Sequence, residues 1–165
     1  MGFRHGASHG EVIITNDGPC LVEMNFCCHG GDASWHSLCR ALNNGSTQIE
    51  ATADAYLDGE AFANLPDKPT SPFFAAGREV SLVLYSEGLV RATPSYDEIR
   101  KLDSFVGLEA SVRPDSKVVR TIDLITAVGS VILMHPDQRT LDEDLKKIRR
   151  MERENRLFLF RKEGL

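Results

Sequence analysis

Apolar and polar positions alternate from Glu11 to Asn25 around a polar break at Asn16-Asp17-Gly18. A period of two predicts paired strands, and Gly18 suits the left-handed position of a short hairpin loop. With residues 16–18 as the loop, 15 faces 19, 13 faces 21 and 11 faces 23. Glu11, Ile13, Leu21, Glu23 and Asn25 then share one face. Val12, Ile14, Val22 and Met24 share the other, which is the expected core side. From residue 33 to 64 the pattern turns helical, with Trp35 as a packing anchor. Residues 65–72 hold three prolines, which predicts an extended connection.

Beyond it the chain breaks into short β-like runs. Residues 79–85 and 89–92 flank Ser86-Glu87-Gly88 and predict a second hairpin. Residues 105–112, 117–119 and 131–135 predict further strands, with a turn at Pro114-Asp115-Ser116. Thr140 and Glu143 have capping-box spacing, so a helix is expected to start there. Leu141, Leu145, Ile148 and Glu152 lie on one of its faces. Lys146, Lys147, Arg149 and Arg150 read as its solvated face, although they could also meet an anion. Residues 157–160 close a sheet or pack on it. The order of elements implies an α+β fold in two parts, residues 1–66 and 67–165.

Composition narrows the function. Hydrophobic residues at 42% and charged residues at 26% describe a globular chain. The net charge of −5 argues against a nucleic-acid partner, which favours a basic face. The longest apolar stretch, residues 124–134, is too short for a membrane span and is broken by Gly129 and Ser130. The N-terminus has no apolar core for a signal peptide. Four cysteines do not make a disulfide framework, so a reducing, cytoplasmic setting is expected.

The candidate chemistry lies on the first hairpin. Its register puts Glu11 opposite Glu23, and like charges so placed repel unless something compensates them. A divalent cation would do so, with Asn25 as a third oxygen ligand; such donors suit magnesium or manganese. The alternative is a polar face with both glutamates in water, and a one-residue shift of the loop would separate the pair. Cys20, Cys27, Cys28, His29, His36 and Cys39 offer zinc ligands or a cysteine nucleophile. No two of these cysteines have Cys-x-x-Cys spacing, and no third residue orients a Cys–His pair. Cys20 and Cys39 read as small buried residues, His9 as a residue supporting the ligands from behind or as a hairpin-entry residue, and His135 as a strand end.

The run from Gly6 to Glu11, the run from Asp17 to Asn25 and His29-Gly30-Gly31 together resemble the catalytic end of ATP-grasp ligases. The likeness is to the carboxylate–amine branch, which includes amino-acid ligases and biotin carboxylase-like enzymes. The twelve-position offset between the two acids matches the family pattern, and the resemblance extends over about residues 5 to 160. It implies that Glu11, Glu23 and Asn25 hold Mg2+ or Mn2+ against the phosphates of ATP. It also implies that a small carboxylate is activated as an acyl phosphate and taken by an amine or another nucleophile. Gly30 and Gly31, ahead of the predicted helix, could offer amides to an anionic group, or could simply start that helix.

Two departures stand out. Where the family has arginine, two residues after the asparagine, this chain has Cys27; a thiol lacks a guanidinium's fixed charge and paired donors. Where the family usually has proline, it has Ala7. The family's nucleotide-binding subdomains precede this segment, yet ten residues precede Glu11. The expectation is therefore a piece of a longer ligase, one chain of a split enzyme, or a catalytically inactive remnant serving as a binding module. The last two imply a partner that supplies the nucleotide-binding half, or self-association through uncovered apolar surface.

Overall fold

The structure is a computed structural model that describes residues 2, 4–30, 34–43, 45, 47–68 and 73–161. Its contacts divide the chain into two compact units, Met1–Pro72 and Phe73–Leu165. Both contain helices and antiparallel strands, so the fold is α+β.

The first unit opens with a two-stranded antiparallel hairpin, β1 (His9–Thr15) and β2 (Gly18–Asn25). Helices α1 (Ser34–Leu42), α2 (Gln48–Leu57) and α3 (Gly59–Ala63) follow. Thr47 caps α2 by accepting the Ile49 amide at 3.2 Å, and its hydroxyl also bonds Glu50. Thr47 thus caps the helix through the Ile49 amide and ties its hydroxyl to the Glu50 carboxylate three residues on. Asp58 ends α2 and caps α3, accepting the Glu60 and Ala61 amides.

The expected core side of the hairpin is not buried. Val12 and Ile14 are 54% and 76% exposed, and Val22 and Met24 are also exposed. A two-stranded ribbon has no second layer of its own, so alternation can make a face apolar without covering it. Every buried hydrophobic residue among the described ones belongs to the second unit.

That unit has two three-stranded antiparallel sheets. In one, β3 (Ala76–Ser81) and β5 (Phe105–Glu109) flank β7 (Ser130–His135). In the other, β6 (Lys117–Val118) and β8 (Leu159–Phe160) flank β4 (Gly88–Ala92). Helix α4 (Pro94–Ile99) has proline in its first turn, where no amide is lost, and α5 (Gln138–Arg153) lies against β3 and β7. Val80, Leu82, Leu84, Val90, Ile99, Leu133, Leu141, Ile148 and Phe158 form its core.

Two expectations are corrected here. The hairpin about Ser86-Glu87-Gly88 does not form, because β3 pairs with β7, and β4 with β6 and β8. After β3 the chain runs on: Leu82 exchanges backbone bonds with Val128 and Gly129, while Leu84 accepts the Thr121 amide and donates its own to the Thr121 hydroxyl. Helix α5 starts before Thr140, capped by Asp137, whose carboxylate accepts the Arg139 amide at 3.2 Å and the Thr140 hydroxyl at 3.1 Å. Its basic residues are largely paired within the helix. Lys147 binds Asp144, Arg149 binds Glu152 and Arg150 binds Glu154. Among the described residues, no helix is long and apolar enough to cross a membrane.

Candidate functional site

The hairpin aligns Glu11 directly with Glu23, by a different route from the expected one. Thr15 pairs with Gly18 around a two-residue turn, Ile13 with Cys20 and Val12 with Leu21. An irregularity then inserts Val22 as an extra residue, after which Glu11 meets Glu23 and His9 meets Asn25. The shorter turn and the bulge offset each other. Gly18, at φ +110°, supplies the left-handed residue. Leu21 consequently leaves the acidic face and Cys20 joins it, exposed and not buried.

Two successive same-face pairs thus bring four polar side chains together. Asn25 Nδ2 donates to Glu23 Oε1 at 2.6 Å and lies 3.5 Å from His9 Nε2. His9 Nε2 is in turn 3.5 Å from Glu11 Oε1. Among the described residues, no three His, Cys, Asp or Glu side chains form a preformed metal cage. The hairpin instead offers two carboxylates and an amide, an open set that water and phosphate oxygens can complete. That donor chemistry fits a hard divalent cation. Of the two sequence readings of His9, the structure puts it beside Glu11 and Asn25, on the period-two face that it shares with Glu11.

The segment after β2 is held by α2. Gln48 accepts the His29 amide at 3.0 Å and donates to the His29 carbonyl at 2.7 Å. Cys28 Sγ lies 3.2 Å from the Thr52 hydroxyl, whereas Cys27 is exposed. The His29 ring stands edge-on to His9 at 5.3 Å and tilted to Trp35 at 5.9 Å. Trp35 donates its indole N–H to the Gly30 carbonyl at 2.7 Å. Gly31 lies outside the described residues. Farther along, Glu50 is held below the usual carboxylate range, first by the Thr47 hydroxyl and its own amide, then by Arg40 and His36. The unit also has an open cleft of about 440 Å³ between residues 4–7 and helices α2 and α3.

No family model matches the chain. Dapdiamide A synthase from Enterobacter agglomerans is 27% identical over 155 residues, which are 92% of this chain and 35% of the synthase. The crystal structure of L-amino acid ligase from Bacillus licheniformis superposes with a TM-score of 0.66 at 12% identity, covering 98% of this chain and 38% of the ligase chain. The chain therefore spans little more than a third of the length of either protein. The resemblance to the ATP-grasp carboxylate–amine ligases, read first from the acidic hairpin and the glycines beyond it, is borne out by these two likenesses.

Proposed function

We propose that this chain carries the metal-holding and C-terminal part of an ATP-dependent, magnesium- or manganese-requiring ligase that joins a small carboxylate to an amine. The observation that carries the reading is the direct pairing of Glu11 with Glu23, with Asn25 bonded beside them, in a chain similar to dapdiamide A synthase. The bound cation supplies charge neutralisation for the phosphates of ATP. The chain's own residues hold it: Glu11 and Glu23 through carboxylate oxygens, Asn25 through its amide oxygen. Gly30 and Gly31 are proposed to offer backbone amides to an anionic group ahead of α1. In this class of reaction a carboxylate oxygen attacks the γ-phosphorus and ADP leaves. The amine nitrogen then attacks the acyl carbon, phosphate leaves and the nitrogen loses a proton. The working setting is cytoplasmic, and the uncovered face of the hairpin takes the nucleotide-binding part of the ligase.

Cys27 favours a second reading. It is exposed and supplies no fixed positive charge, which suits a catalytically inactive module that binds metal without turnover. One experiment separates the two. The native assembly, recovered from source extract with an antibody to this chain, is assayed with Mg2+, ATP and mixed amino acids. The ligase reading expects ADP release that requires the amino acids and disappears in the Glu23→Ala form. Release unchanged in Glu23→Ala overturns the site. Metal binding without release selects the binding module.

A further inference from the structure

Gln48 treats residue 29 as a neighbouring strand would. Its Oε1 accepts the His29 amide at 3.0 Å and its Nε2 donates to the His29 carbonyl at 2.7 Å. The two bonds fix the orientation of the side-chain amide, since a flipped Gln48 would set N–H against N–H and oxygen against oxygen. Its backbone is held as well: Gln48 opens α2 directly after the buried cap Thr47, and the Thr52 hydroxyl donates to its carbonyl at 2.6 Å. That hydroxyl also lies 3.2 Å from Cys28 Sγ, and Trp35 holds the Gly30 carbonyl. In a planar trans peptide the carbonyl of one residue and the N–H of the next point opposite ways. Binding the His29 carbonyl therefore turns the Gly30 N–H away from Gln48, and the bond polarises that N–H into a stronger donor. Among the described residues nothing accepts it. A Cβ at Gly30 would meet no described atom within 4 Å and its φ is not left-handed, so neither packing nor backbone conformation asks for glycine there. The His29 ring, edge-on to His9, sets this peptide beside the Glu11–Glu23 end of the hairpin.

We infer that Gln48 is a positioning residue of the proposed ligase reaction and aims the Gly30 amide at the anionic group. The inference rests on the reading of Gly30 as an amide contact ahead of α1. A donor aimed in advance loses nothing to reorientation when charge builds on phosphoryl oxygens, which is where such donors stabilise most. The rival role is mechanical: Gln48 ties the segment to α2, and the direction of the Gly30 N–H has no consequence.

Two substitutions separate these roles. Gln48→Met keeps the length of the side chain and removes both bonds; His29 is exposed, so its freed groups meet water. Gly30→Ala puts a methyl group into the open space without a clash. Both are made in the native assembly, alone and together, and amino-acid-dependent ADP release is measured with Mg2+ and ATP. Each single variant is expected to lower release roughly tenfold with an unchanged melting midpoint. The double variant is expected to match the singles, since both act on one contact and such losses do not add. A double variant that falls roughly a hundredfold makes the two residues independent and overturns the role of Gln48. Loss in Gln48→Met that follows a lowered melting midpoint also overturns it, in favour of the mechanical role. If Gly30→Ala weakens release and Gln48→Met does not, the amide contact stands and the inference falls. Release unchanged by Gly30→Ala removes the contact and the inference together, as does an unsubstituted assembly that releases no ADP.

Discussion

Asp144 is almost fully buried on α5, where its Oδ2 accepts the Ser104 amide at 2.9 Å and the Ser104 hydroxyl at 2.8 Å. Lys147 binds the other oxygen at 2.8 Å. Burial alone would push this carboxyl up, but the bonds from Lys147 and Ser104 outweigh it and hold it below its usual range. A group depressed in the folded state stabilises the fold above its unfolded pKa and loses that contribution as pH falls through the folded value. The stability from Asp144 is therefore complete above about pH 4 and declines below it. Asp144→Asn is expected to flatten the acid limb of a stability–pH profile, and Asp144→Ala to cost about 3 kcal/mol at neutral pH by stranding the Ser104 donors. A profile of unchanged slope in the Asn variant would contradict the assignment. Gly129 makes a second residue-scale case. Its φ is +138°, and a Cβ there would sit 2.5 Å from the Glu109 carbonyl oxygen. Gly129→Ala should lower stability by about 3 kcal/mol in denaturant unfolding, because both the backbone conformation and the neighbouring strand must yield.

At the scale of elements, the N-terminus of α5 sets apart two sequence motifs that look equally good. Asp137 is the observed cap, its carboxyl depressed first by the Arg139 amide and then by the Thr140 hydroxyl. Asp137→Ala should therefore lower the melting midpoint more than Thr140→Ala, which removes one hydroxyl from inside the helix. Equal effects would return the cap to Thr140. This position shows where sequence stops being legible. A capping box is a spacing, and Thr47–Glu50 and Thr140–Glu143 share it; the first begins a helix, whereas the second lies within one that Asp137 has already started. The periodic elements were readable because burial follows period: Leu141, Ile148 and Glu152 occupy the inner face of α5 as their spacing requires. Strand partners were not, since Ser86-Glu87-Gly88 is acceptable turn chemistry and only the long-range bonds of Leu82 and Leu84 decide against a turn. The acidic pair was legible despite a misplaced loop, because the bulge at Val22 restores the parity that the shorter turn removed. The clamp by Gln48 on His29 depends on side chains meeting across elements, which spacing does not encode.

For the whole molecule the contrast between the units is energetic. The second unit buries Leu82, Leu133, Leu141, Ile148 and Phe158 completely or nearly so, whereas helix α2 of the first buries none of its residues. The first unit instead exposes Val12, Ile14, Leu21, Val22 and Met24 on the hairpin, with Ile49, Tyr56, Leu57 and Phe62 on its helices. Its open cleft adds to that surface. Side chains of this size stabilise by about 1.5–3 kcal/mol each when fully buried, so a surface this apolar gains considerably from any cover. On the proposed reading the nucleotide-binding part of a ligase would provide that cover, and the prediction for the chain by itself is that a second copy does. The isolated chain is therefore expected to sediment above 18.3 kDa, with an average mass that rises with concentration. Two outward charges on the hairpin, Ile14→Lys and Val22→Lys together, should return it to a monomer, since the charge would be desolvated in any apolar contact. The same pair leaves the core of the second unit untouched, so its cooperative unfolding should persist and show that the variant is folded. A chain that stays monomeric at every concentration would mean that the hairpin is content in water, and the proposed seating of a nucleotide-binding half on that face would lose its physical motive.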